Sequence, residues 1–240
     1  MFKIYNDDAY SVLDKMIKDG IYVDHVITDP PYNISKKNNF ATMSSADRIG
    51  VDFGEWDKGF DLISWIPKAA QLLNPGGSFI VFNSYRNLTP IITEMEKNGL
   101  VVKDVIKWIK DNPMPRNIKR RYVQDTEFAI WAVSSKGKWV FNVPEDLKYL
   151  RAEFHTSTVS GHERVGHPTQ KSLKLMSKII SIHSNPGDLI FDPFMGSGST
   201  GVSALQLSRN FIGVELEKEY FDIANKRLKG VNNECRTSNK

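Results

Sequence analysis

Two clusters in this sequence hold residue types that do chemistry at short range. The first is Asp29-Pro30-Pro31-Tyr32, which follows directly on the apolar run "VIT". Two consecutive prolines donate no backbone hydrogen bond and each fixes its own φ, so a strand leading into them must stop. The aspartate is therefore held on a stiff turn with an aromatic ring three residues on. A carboxylate, a fixed carbonyl and a ring could converge there on a flat polar molecule; the bland alternative is a strand stop with a packing tyrosine. The second cluster is "LIFDPFMGSGSTG", where Gly196, Gly198 and Gly201 satisfy G-x-G-x-x-G and Glu215 closes the next apolar run, "FIGVEL". Glycines let a backbone approach a nucleoside, and a carboxylate at the following strand end accepts hydrogen bonds from ribose hydroxyls. Val202 stands where a Walker A lysine would be.

The elements that must position these clusters follow from hydrophobic patterning. Short apolar runs at 2–5, 23–28, 78–82, 101–108, 126–133, 189–192 and 210–214 predict seven strands. Helical periodicity falls between them at 10–18, 62–73, 88–98, 171–181, 200–208 and 218–229. Alternation of this kind predicts an α/β domain with a mostly parallel sheet and helices on both faces. The turns "NPGG" and "NPGD" lead from a helix into a strand.

Two segments break the alternation. Residues 33–57 are polar and aperiodic, a length that is usually functional or disordered; they are expected to be mobile alone and to order over a partner. Residues 136–166 suggest a small irregular inserted lobe, and 231–240 a frayed tail. The catalytic domain is then 1–135 with 167–230.

At 240 residues with 40% hydrophobic content, the chain fits one domain with a substantial core. A formal charge of +4 is only mildly basic, so a nucleic-acid footprint must come from local clustering. A lone Cys235 argues against disulfides or a cysteine metal site, and His155, His162 and His167 are too loosely spaced for zinc; no metal is expected. Acids near the N-terminus and the lack of a long apolar run point to a cytoplasmic protein.

The literal glycine match is to dinucleotide folds, so an NAD-dependent oxidoreductase competes. Position in the chain argues against it. Only 25 residues follow Glu215, so the sheet must be completed by N-terminal strands, and the nucleotide-binding half comes last.

Asp-Pro-Pro-Tyr early and Asp-Pro-Phe-x-Gly-x-Gly late, in that order, resemble the β-class DNA amino-methyltransferases. Further matches are "NDDAYSVL", "FGEWD", "LLNPGG", "RRYVQDTEFAIW" and "HPTQKSLKLM". The set looks closest to adenine-N6 modification enzymes of the MboII kind, which act in short sites containing GAAG. The resemblance implies a circularly permuted Rossmann-like fold dependent on S-adenosylmethionine. It implies that Asp192, Pro193, Phe194, Gly196, Ser197 and Gly198 floor the cofactor site, with Asp29 at its edge. Glu215 would hold the ribose and Asp8 and Ala9 the adenine step, although Asp7 replaces the usual glycine before it. His167, Thr169, Gln170 and Lys171 would lie near the methionine moiety, with Thr169 and Lys171 on its carboxylate.

An adenine N6 amino group is a poor nucleophile because its lone pair is delocalised into the ring. Hydrogen bonds to the Asp29 carboxylate and the Pro30 carbonyl would draw it toward tetrahedral geometry; Pro31 stiffens the turn, and Tyr32 would stack on a base taken out of the duplex. Cytosine N4 poses the same problem and stays open, though the family's cytosine members more often have serine at the Asp29 position. A binding module with a dead site is the remaining alternative, disfavoured by the intact motif residues.

Residues 103–121 carry seven Lys/Arg against two Asp, densest at "MPRNIKRRY". Beside a base-processing site, Arg116, Lys119, Arg120 and Arg121 read as phosphate contacts, as do Lys36, Lys37 and Arg48 in the polar loop. Arg151 and Arg164 in the inserted segment would reach guanine or phosphate. Double-stranded DNA is the expected partner, single strands or RNA being further substrates to consider. A companion restriction endonuclease or second methyltransferase and a homodimer follow from the resemblance alone.

Overall fold

The computed structural model describes residues 1–33, 59–115, 118–166 and 169–237. Lys36, Lys37, Arg48, Arg116 and His167 lie outside them, as does nearly all of the 33–57 loop. The eight described strands are β1 (Phe2–Asn6), β2 (Val23–Thr28), β3 (Leu73–Asn83), β4 (Leu100–Lys110), β5 (Thr126–Ser134), β6 (Glu153–Thr156), β7 (Leu189–Asp192) and β8 (Asn210–Glu215). They form one sheet in the order β1-β8-β7-β2-β3-β5-β4-β6. Every neighbouring pair is parallel except the two that involve β5.

Strand residues alternate between two cores, as period-2 geometry requires. Ile27, Ile80, Phe82 and Trp131 face one side, while Val26, Phe79, Val81 and Ile130 face the other. Helices α1 (Ala9–Lys18), α2 (Ile66–Gln71) and α3 (Leu88–Lys97) cover the second face. Helices α4 (Leu173–His183), α5 (Ser199–Gln206) and α6 (Lys218–Thr237) cover the first. Both faces are apolar, which explains why the central strands read as continuous apolar runs.

The expected α/β architecture is present, with three differences. The sheet has an eighth strand, β6, inside the segment expected as a lobe. A four-residue strand with one large apolar residue carries no periodic signal, yet Phe154 and Thr156 are buried and β6 pairs with β4 from Lys107 to Lys110. Residues 136–166 therefore do not stand apart. Their first part folds back on the catalytic domain: Phe141 stacks on Trp131 at 5.2 Å, and the Asn142 N–H donates to the Ile182 carbonyl at 2.7 Å. Helix α2 starts at Ile66 rather than 62, because the Asp61 carboxylate accepts the Ile63 and Ser64 N–H groups in a preceding turn. Helix α6 runs to Thr237, well into the segment expected as a frayed tail.

Strand order reverses between β7 and β2. The chain goes from β7 outward to β8 on one side and from β2 outward to β3 on the other. Crevices at such switch points, beyond the carboxyl ends of strands, are where open α/β sheets bind ligands. Here the two strands end at Asp192 and Thr28, the residues that open the two chemical clusters.

Candidate active site

The two clusters are joined by a direct bond. Thr28 Oγ1 donates to Asp192 Oδ1 at 2.6 Å, and the Phe194 N–H donates to the same oxygen at 3.1 Å. Burial pushes the Asp192 carboxyl up to about 6, against the pull of the hydrogen bonds from Thr28, Thr200 and Phe194. Asp192 thus locks the turn from β7 into the glycine loop. Pro193 is buried after it, and Phe194 packs edge-on against Phe60 and Trp65, each at 5.2 Å.

The loop then turns into α5 with Gly196 and Gly198 at φ 51° and 80°, the left-handed region where a side chain is strained. Gly201 serves differently: a Cβ there would meet Phe211 at 2.5 Å, so helix and strand could not pack as they do. Arg227 of α6 holds the loop from below, donating to the Ser197 carbonyl at 2.6 Å. Nothing in the local sequence pattern singles out Arg227.

Beside this loop, β1 lies parallel to β8 with Asn6 opposite Glu215, the placement the permuted order requires. The Asp8 carboxylate caps α1, accepting the Tyr10 and Ser11 N–H groups at 3.0 and 3.2 Å, and Ala9 is buried behind it. Glu215 accepts the Glu217 N–H at 2.8 Å and is raised to about 7, chiefly by burial. Among the described residues it has no cationic partner. A half-buried acceptor carboxylate beside a positive-φ glycine turn fits a ligand that presents paired hydroxyls.

Across the switch point, the Asp-Pro-Pro-Tyr turn is wired into a charge network. Lys171 Nζ lies 2.5 Å from Asp29 Oδ2 and 3.1 Å from Glu127 Oε2. Lys110 of β4 approaches Glu127 Oε1 at 2.5 Å, and the Tyr32 hydroxyl donates to Asp29 Oδ1 at 2.5 Å. Burial pushes the Asp29 carboxyl above its ordinary value even with Lys171 pulling the other way. Burial also pushes Glu127 up, but the two lysines outweigh it and hold Glu127 at about 2. Burial with the neighbouring carboxylates keeps the Tyr32 phenol well above its usual range, so it remains a donor.

The turn is braced from the other side too. Asn87 Nδ2 donates to the Tyr32 carbonyl at 2.9 Å and to Asn83 Oδ1 at 2.8 Å. Asn33 and Phe60 exchange two hydrogen bonds, at 2.5 and 2.8 Å.

The remaining expected residues fall in different places. Gln170 is turned toward the inserted segment, bonding the Glu163 carbonyl at 2.7 Å and the Val165 N–H at 3.1 Å. Thr169 is half-buried next to it. Lys119, Arg120, Arg121 and Arg164 are exposed. The first three lie on the connection from the carboxyl end of β4 to β5, and Arg164 follows the carboxyl end of β6, so all four share the end of the sheet that carries Asp29. Arg151 is exposed but precedes β6, farther down the sheet edge. Neither Glu127 nor Lys110 is among the expected site residues; Glu127 sits inside "RRYVQDTEFAIW", and Lys110 belongs to the basic run at 103–121 expected to face phosphates.

A permuted α/β sheet with an acidic proline turn bonded to a glycine loop is the architecture of the DNA methyltransferases. The chain belongs to the N6_N4_Mtase family, DNA methylases, whose match covers residues 23–226. Its relatives include the type II methyltransferases M2.DpnII of Streptococcus pneumoniae, 33% identical over 95% of this chain and 90% of that protein, and M2.MboI of Moraxella bovis, 32% identical over 94% and 87%. Among solved structures, the M1.HpyAVI–SAM complex is 50% identical with a TM-score of 0.80, covering 95% of this chain and 99% of that one. The cytosine-N4-specific PvuII DNA methyltransferase, at 18% identity and a TM-score of 0.71 over 97% and 90%, shares the fold.

Proposed function

We propose that this protein is a site-specific methyltransferase that moves a methyl group from S-adenosylmethionine to the N6 amino group of adenine in duplex DNA. The observation that carries the proposal is the 2.6 Å bond from Thr28 to Asp192, which ties the amino-group acceptor Asp29 to the glycine loop across the switch point. Glu215, with the Gly196–Gly198 turn, would hold the ribose and the body of the cofactor. When bound, S-adenosylmethionine supplies an electrophilic methyl group for the amino nitrogen to take.

The chain's own residues do the rest. A flipped base brings its amino group to Asp29 Oδ1, in place of the Tyr32 hydroxyl that now donates there. The second amino proton goes to the Pro30 carbonyl, which the following proline holds still. Two acceptors out of the ring plane favour a pyramidal nitrogen with a localised lone pair. This is preorganisation of acceptors rather than strong-base catalysis. The methylated nitrogen then sheds a proton readily, and the burial-raised Asp29 carboxyl is a suitable first acceptor. Once displaced, Tyr32 can stack on the base, with the exposed 119–121 cluster and Arg164 against phosphates.

Several finer points belong to the same proposal: a short recognition site containing GAAG, a partner endonuclease or second methyltransferase, a homodimer and residence in the cytoplasm. Cytosine N4 is the second reading, favoured by the breadth of the family; Asp29 in place of serine tips the choice to adenine. The test is transfer of labelled methyl to unmethylated duplexes with and without GAAG, followed by nucleoside analysis, for wild type and Asp29→Ala. N6-methyladenine from wild type alone is the expected result. N4-methylcytosine would overturn the base, and protection from thermal melting by NAD but not by S-adenosylmethionine would overturn the class.

A further inference from the structure

We infer that Lys171 is a positioning residue for Asp29, held in place by Glu127 and Lys110, rather than a ligand for the cofactor's carboxylate. The inference rests on the methyltransferase reading above and concerns how its carboxylate is aimed.

An ammonium has three donors, and all three are committed here. They meet Asp29 Oδ2 at 2.5 Å, Glu127 Oε2 at 3.1 Å and the Tyr32 hydroxyl at 3.3 Å. The group is enclosed as well as paired. Its side chain is 7% exposed, and Nζ lies 5.4, 5.3 and 5.9 Å from the ring centres of Tyr32, Phe82 and Trp108. Trp108 is itself fixed, because its Nε1 donates to Thr156 Oγ1 of β6 at 2.7 Å. The eighth strand therefore anchors one wall of the cage.

Charges balance within the cluster, since Lys110 and Lys171 face Asp29 and Glu127. Turning Lys171 toward a cofactor carboxylate would strip two buried carboxylates of their shared cation, which is unfavourable. Staying put, it fixes the plane of the Asp29 carboxylate through Oδ2 and leaves Oδ1 for the base. Glu127 is the hinge of the device. It holds Lys171 from β5 and is held by Lys110 from β4, so four separate segments converge to aim one oxygen.

The test separates aiming from cofactor binding. Cofactor affinity is measured by calorimetry with S-adenosylmethionine, and chemistry by single-turnover transfer at saturating cofactor and DNA. For Lys171→Met the expected outcome is an unchanged Kd with a rate lower by about 100-fold, the scale of misplacing a catalytic group by about 1 Å. Glu127→Gln should lose about tenfold by the same mechanism.

A pH profile adds a readout that misfolding would not mimic. The groups facing Asp29 are Lys171, Glu127 and Tyr32, with Lys110 behind Glu127 and Asp192 on β7. Removing the Lys171 cation should move the acid limb of the rate profile to higher pH, while removing the Glu127 anion should move it to lower pH. If Lys171→Met fails to fold, the charge-balanced double variant Lys171→Met/Glu127→Gln replaces it, with a slow rate and intact cofactor binding expected. A weakened Kd with a wild-type single-turnover rate, in either variant, would overturn the inference and return Lys171 to the cofactor. Acid limbs that stay where they are in the single variants would overturn it too, the two shifts offsetting each other in the double variant. Absence of any methyl transfer by wild type would instead strike the functional reading on which it rests.

Discussion

The sheet carries a buried polar cluster at each end, and the two are built on opposite plans. At the amino ends of the strands, side chains bond mostly to backbone. His25 Nδ1 accepts the Ser78 N–H at 3.1 Å, Asp188 accepts the Asn185 N–H at 2.6 Å, and Asp24 accepts the Leu189 N–H at 2.8 Å. Arg209 donates to the Ser184 carbonyl at 2.6 Å. At the carboxyl ends, Asp29, Tyr32, Glu127, Lys110 and Lys171 bond mainly to one another. A side chain spent on a fixed amide is part of the framework. One spent on another side chain can exchange that partner for a substrate atom without opening the sheet. The amino end should therefore govern stability and the carboxyl end rate.

The sharpest break of that division is Asp29→Asn. It keeps the volume but makes one acceptor a donor, and a loss of about 1000-fold in single-turnover rate is expected, the scale seen when a preorganised polar group is removed. Its denaturant midpoint should stay close to wild type. Matching losses in rate and stability would erase the distinction between the two ends.

His25→Ala is the mirror experiment. It leaves the buried Ser78 N–H without its acceptor, which costs about 1–3 kcal/mol, and takes the 3.0 Å His25 Nε2 contact from the partly exposed Asp188, which keeps the Asn185 N–H. Urea unfolding should show that loss, while the single-turnover rate of the folded fraction stays near wild type.

How much of this was readable beforehand follows the same divide. The apolar runs gave β2, β7 and the central strands because a strand buried on both faces has no other way to look. The permuted order was readable from the place of Glu215 near the chain's end. The Asp-Pro-Pro-Tyr turn and glycine loop were readable because proline and glycine act locally. The Lys171 partners were not. Lys110, Glu127 and Lys171 come from three distant segments, and only the sheet order brings β4 and β5 beside the turn. β6 was missed because four residues hold too little pattern, and Arg227 because an arginine on an amphipathic helix reads as surface.

The amino end also predicts an acid sensitivity. Burial holds His183 at about 3, with nearby His25 adding to the effect, and among the described residues its Nδ1 has no hydrogen-bond partner. The folded state therefore prefers neutral imidazole, while the unfolded chain protonates near its ordinary value of about 6.5. Between those values this imidazole binds its proton more readily in the unfolded state, so its own contribution to stability falls as pH drops, by up to about 1.4 kcal/mol per pH unit, against the opposite contributions of the raised Asp192 and Glu215 carboxyls. His183→Phe should remove that contribution and so lower the slope of unfolding free energy against pH between about pH 6 and 4. The ring neighbours Trp131 and Phe141, at 4.5 and 5.7 Å, offer the replacement an aromatic setting. An unchanged slope would overturn His183 as a source of acid sensitivity.

The smallest effect expected is at Arg227, which combines both plans: it is a side chain bonded to backbone, as at the amino end, but it serves the loop at the carboxyl end. Its guanidinium reaches the Ser197 carbonyl at 2.6 Å and the Ser197 and Ser199 hydroxyls at 3.3 and 3.4 Å. Arg227→Met keeps the apolar stem of the side chain and loses those donors. The positive-φ turn at Gly196 and Gly198 is still closed by the Gly198 N–H to the Met195 carbonyl at 2.8 Å, so the loop should loosen rather than collapse. A net loss of about 1 kcal/mol corresponds to about a fivefold weaker Kd for S-adenosylmethionine. The single-turnover rate at saturating cofactor should not change, since Asp29 is aimed by Lys110 of β4, Glu127 of β5 and Lys171 just ahead of α4, and the Arg227 hydrogen bonds among the described residues go to Ser197 and Ser199 instead. A fall in that rate with Kd intact would mean that the glycine loop and the proline turn move together through Thr28 and Asp192, and that the two halves of the site are one mechanical unit.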